Sequence, residues 1–128
     1  MNSELNRNLP GNPNWVGSFY EKLTEYGEWD IDEFWKLHSE IIEISVNSKS
    51  QDKIDRALAA NLVTLLIKVL NLIEAHFNIK DVFRIENLDD DSIFNYKERF
   101  VSAVNSVFSG EVLPESSFTL TNPLIKNA

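Results

Sequence analysis

Residues 54–77 read IDRALAANLVTLLIKVLNLIEAHF, and the spacing of their apolar side chains decides the fold class. Ile54, Ala57, Leu58, Leu62, Leu65, Leu66, Val69, Leu70, Ile73 and Phe77 recur at i, i+3, i+4 and i+7, the period of one helix face. Val63, Ile67 and Leu72 extend the stripe towards the other faces. A helix apolar on most sides belongs in the middle of a molecule, so this one, expected over 50–78, is read as the central element. Asn61, Lys68 and Asn71 interrupt the run and keep its apolar length below the ~20 residues that cross a bilayer, which favours a core helix over a membrane span.

The flanking sequence supplies partners for it. Ile31, Phe34, Trp35, His38, Ile41, Ile42 and Val46 repeat the helical period, with Asp32, Lys36, Glu40 and Glu43 on the remaining arcs. Asp30 and Glu33 have capping-box spacing at its start, which predicts a helix over 30–47. Trp15, Phe19, Leu23 and Tyr26 follow Asn14 and end at Gly27, predicting a shorter helix over 14–26. After the carboxylate run Asp89, Asp90 and Asp91, the positions Ile93, Tyr96, Phe100, Val101, Val104 and Phe108 predict a last helix over 92–109, stopped by Gly110. Residues 78–91 carry no helical period and are read as a loop.

Both ends differ in composition. Residues 1–13 hold Pro10, Gly11, Pro13 and four asparagines, and residues 111–128 hold Pro114, Pro123 and a Ser/Thr cluster, so both are expected to be irregular arms. With 128 residues, 43% of them apolar, the chain is read as a single all-α domain over 1–128 of about four main helices. Cysteine is absent, which excludes disulfides, thiolate metal sites and a cysteine nucleophile. The opening MNSELNRNLPGNPN has no apolar run like that of a signal peptide, and a cytoplasmic location is expected.

No motif of phosphate cradling, zinc hydrolysis or a nucleophile elbow occurs, and the four glycines are too scattered to form a phosphate loop. His38 and His76 are the candidates for acid/base chemistry, but His38 falls on an apolar stripe and His76 near a helix C-terminus, where a histidine packs or caps. An EF-hand starting at Asp89 would need Gly and Glu where Phe94 and Phe100 stand. Hence no catalytic residue, metal or cofactor is expected, and the chain is read as a non-enzyme.

Charge is the remaining signal. Twenty acids against twelve bases give a net charge of −8, the wrong sign for a nucleic-acid binder. The acids are concentrated: residues 21–43 hold eight against two bases, and residues 81–99 six against three. Side by side, these segments would make one negative face interleaved with Tyr20, Tyr26 and Trp29, the aromatic type that anchors interfaces. The expected partner-binding residues are Glu21, Glu25, Glu28, Trp29, Asp32 and Glu33, with Asp89, Asp90 and Asp91 as a second patch. A solvated acidic surface without a partner is the plainer alternative.

The stretch NPNWVGSFYEKLTEYGEWDIDEFWKLH, residues 12–38, resembles the small immunity proteins of bacterial contact-dependent growth inhibition and related polymorphic toxin systems. The resemblance lies in a Trp/Gly/aromatic-rich opening, small size and acidity. It implies a cytoplasmic antitoxin that binds one cognate toxin domain, a basic RNase or DNase, and neutralises it, with neither nucleic acid nor membrane as a partner. An acidic helical adaptor or regulatory subunit without inhibitory activity is the alternative of a different class.

Overall fold

The four main helices begin where a short polar side chain accepts a backbone N–H. In the computed structural model, which describes residues 2–125, Ser18 accepts from Glu21 N, Asp30 from Glu33 N, Asp55 from Leu58 N and Asp89 from Ser92 N. These caps satisfy amides that the helices cannot pair internally. They open α2 (Phe19–Tyr26), α3 (Ile31–Ser48), α4 (Arg56–Phe77) and α5 (Asp90–Ser109), preceded by a short α1 (Ser3–Arg7). Among the described residues there is no strand, and the fold is all-α.

α2 starts at Phe19 rather than near Asn14. The residues before Ser18 turn instead of winding, and Ser18 and Glu21 form the start: Ser18 Oγ accepts from Glu21 N, while the Glu21 carboxylate accepts from Gly17 N at 3.1 Å. Gly27 and Gly110 end α2 and α5 in the left-handed region at φ 62° and 75°, the conformation in which glycine is least strained.

The central helix is α3, and not the apolar 54–77 stretch. It packs on α5 along its length and also meets α1 and α2. The reason is volume: the large rings lie on or beside α3, and they fill its seam with α5. Phe34 has Phe19, Trp29, Trp35 and Tyr96 around it, ring centroids 5.0–5.5 Å away. Ser45 Oγ donates to the carbonyl of Ser106 at 2.8 Å and fixes the two helices further along.

α4 buries one stripe, Leu62, Leu65, Val69 and Ile73, and leaves Val63, Ile67 and Phe77 exposed. Leu66 is only half-buried. By length and composition α4 is sufficient to cross a bilayer, but its buried stripe is committed to the bundle.

Both arms are tied down. Leu5 is fully buried and its amide donates to Glu40 at 2.6 Å. Asn8, also buried, accepts from Tyr20 N and donates to the Glu4 carbonyl, both at 2.7 Å. At the other end the buried Arg99 holds the C-terminal arm, donating to both Glu115 oxygens at 2.8 and 2.6 Å and to the Leu120 carbonyl. Phe118 lies over the same guanidinium, 4.0 Å from ring centroid to Cζ.

Candidate protein-binding face

The turn after α2 and the loop before α5 are hydrogen-bonded to each other. Glu86 N donates to the carbonyl of Gly27 at 2.8 Å. Two residues on, Trp29 N donates to Asn87 Oδ1 at 2.9 Å and Asn87 Nδ2 donates to the Trp29 carbonyl at 2.8 Å. Gly27 is required here for space as well as for its φ, because a Cβ would overlap the carbonyl oxygen of Arg84. The two acidic segments, joined here through residues 58 apart in sequence, are therefore adjacent along this seam.

His76 closes the loop from the other side. Its Nδ1 accepts from Ile85 N at 2.9 Å, which leaves the proton on Nε2, 3.1 Å from Asp90 Oδ1. One imidazole thus spans the end of α4, the loop and the start of α5.

The nine residues expected to bind a partner divide by burial. Glu25, Glu28, Asp32, Asp89, Asp90 and Asp91 are exposed. Trp29 is not a surface anchor: it is fully buried, 4.8 Å from Phe19 and 5.4 Å from Tyr96 between centroids, and belongs to the aromatic core. Glu21 is also inside, held by the Gly17 amide. Glu33 is half-buried and engaged by Arg7 and Lys36. These three acceptor and ring groups serve the fold, which a sequence pattern of acids and aromatics does not distinguish from a contact surface.

The face includes residues beyond those nine. Glu86 is exposed on the loop side of the seam, opposite Glu28. Tyr26, just before Gly27, is 68% exposed and Val82, two residues before Arg84, is 98% exposed. Tyr20, by contrast, is buried. An exposed ring and an exposed aliphatic side chain beside carboxylates are the ingredients of an interface with a polar rim and apolar contacts. The signal for Val82 was weak in the sequence, since an apolar residue without period in a loop points to no face.

Local charge at the seam remains negative at neutral pH. Partial burial pushes the Asp30 carboxyl up, but the Lys22 ammonium at 2.6 Å and the Glu33 amide outweigh it and hold the carboxyl below the usual range. The Ser92 amide and hydroxyl hold Asp89 down in the same way. Asp89, Asp90 and Asp91 also lie at the positive end of the α5 dipole.

His38 lies far from such groups in kind. It is packed against Phe34 and Trp35, and burial, with the nearby positive Arg99, lowers its pKa to about 4. The imidazole is neutral at physiological pH. Among the described residues no group of three or more His, Asp or Glu is arranged to hold a metal ion. No family model, curated protein or solved structure matches this chain.

Proposed function

We propose that this protein is an antitoxin of the immunity type, which captures a cognate basic toxin domain, an RNase or DNase, on the joined acidic face and blocks it. The observation that carries the reading is the seam at Gly27, Trp29, Glu86 and Asn87, which unites two acidic segments that are separate in sequence. A nuclease presents a cationic surface to phosphates, so an exposed array of carboxylates complements it and steers its approach. Tyr26 and Val82 supply the apolar contacts that slow dissociation once charges have aligned.

The reading assigns no catalytic role to either histidine, needs no cofactor and places the protein in the cytoplasm, where an antidote to an incoming toxin must act. The test is co-expression with the product of the neighbouring gene, taken as the candidate toxin domain. Co-purification together with loss of toxin activity supports the reading. Binding without inhibition makes the chain an adaptor, and growth arrest unrelieved by this protein excludes it as the antidote.

A further inference from the structure

A second feature lies away from the acidic face. α3, α5 and the C-terminal arm line a partly open cavity of about 410 Å³. Ile42, Ala103, Val112, Leu113 and Phe118 give it apolar walls, and His38, Ser102 and Asn122 are among the polar groups that line it. His38 and Asn122 are each only 4% exposed. Nδ1 of His38 is buried without a hydrogen-bond partner among the described residues. Buried polar atoms in folded proteins are almost always paired; Nδ1 is sealed from solvent and guest alike, so the imidazole meets the cavity by its remaining edge.

The charges on the wall balance. Arg99 is neutralised by both Glu115 oxygens, and burial keeps His38 uncharged. A charged guest would be desolvated without compensation. The volume exceeds the ~150 Å³ that accommodates benzene and falls within the ~300–1,000 Å³ of natural small-molecule sites. Asn122 uses its side-chain oxygen on Leu124 N at 2.9 Å, which leaves its amide hydrogens as donors.

We propose that this cavity binds a neutral, largely apolar small molecule, of one or two rings, whose single polar group pairs with the imidazole of His38 and the amide of Asn122. The C-terminal arm, clasped by Arg99, forms the outer wall.

The probes are 2-naphthol and the anionic 2-naphthoate, titrated at neutral pH into the isotope-labelled full chain and followed by NMR. The expected result is saturable shifts from 2-naphthol at the His38 ring and at the Ser102 and Leu113 amides, with 2-naphthoate weaker by about tenfold or more. Ser102→Trp fills the cavity and removes the shifts. His38→Phe, which leaves the packing aromatic, weakens 2-naphthol by roughly fivefold or more, in line with loss of one buried hydrogen bond. Retained amide dispersion in either variant is enough to read the outcome. Absence of saturable shifts at these residues up to the solubility of 2-naphthol, equal binding of the anion, or shifts confined to the α4–α5 surface at Val63, Val101 and Phe108 overturns the proposal.

Discussion

Asn87 and Trp29 exchange two hydrogen bonds, amide to side-chain oxygen at 2.9 Å and side-chain amide to carbonyl at 2.8 Å. The pair fixes the loop before α5 against the turn between α2 and α3. Because Trp29 is itself locked among Phe19, Phe34 and Tyr96, the acidic loop is anchored to the hydrophobic core and not merely laid on the surface.

Gly27→Ala is expected to open this seam. The new Cβ meets backbone, the carbonyl oxygen of Arg84, and the φ of 62° is unfavourable for any other residue. A loss of more than about 1 kcal/mol is expected in urea unfolding, with faster hydrogen exchange at Glu86. Exchange at Glu86 unchanged from wild type would mean that the Gly27 contact does not hold the loop.

The central position of α3 predicts a contrast between two apolar residues. Phe34→Ala, at a fully buried ring surrounded by four others, should cost roughly 3–5 kcal/mol. Ile67→Ala, on the exposed face of α4 at 51% exposure, should stay within about 0.5 kcal/mol. Comparable losses in chemical denaturation would return α4 to the middle of the molecule.

His38 makes the fold sensitive to acid. Its pKa is about 4 when folded, against 6.5 for the ordinary group, so between these values the unfolded chain binds the extra proton and the folded one does not. Stability therefore falls as pH drops below 6.5, and the penalty is complete below about 4, amounting to roughly 3 kcal/mol by the size of the shift. His38→Phe removes this component while leaving the carboxylate titrations in place. The difference in unfolding free energy between the two proteins, measured from pH 7 to pH 4.5, should move in favour of the variant as pH falls. A constant difference would show that His38 titrates normally in the folded protein.

Glu115→Gln tests the clasp on the C-terminal arm. Two charged hydrogen bonds from Arg99 are weakened and the buried guanidinium loses its counter-charge, for which a cost of roughly 1.5–3 kcal/mol is expected. The readout is hydrogen exchange at Asn122, whose amide donates to Glu115 at 3.1 Å. Protection equal to wild type would assign the arm's hold to Phe118 and the Leu120 carbonyl alone.

The helices were legible where period and punctuation agree. Asp30, Gly27 and Gly110 stand where capping chemistry puts them, and the expected 30–47 and the observed Ile31–Ser48 differ by one residue at each end. Asn14 was a plausible cap, but Ser18 with Glu21 made the better start, a choice that depends on Gly17 presenting its amide. α1 was hidden because five residues are too few for a period, and its place is fixed by Leu5 and Asn8 docking on distant elements. The rank of α4 is not legible in its sequence, since periodicity measures how apolar a helix is, not how many neighbours it meets. Among the expected site residues, charge density marks two segments that the fold joins; burial of Trp29, Glu21 and Glu33 depends on tertiary partners that no local spacing encodes.

Stopped-flow association of the protein with the basic toxin domain that the proposed function requires, measured across ionic strength, is the most direct test of the joined acidic face. Wild-type rates should fall steeply as screening shortens from about 10 Å at 0.1 M salt to about 3 Å at 1 M. Glu28→Lys combined with Glu86→Lys, one reversal on each side of the seam, should slow association by about tenfold at low salt and flatten that dependence, with dissociation changed little. Association indifferent both to salt and to the double reversal would contradict the account and place recognition elsewhere on the molecule.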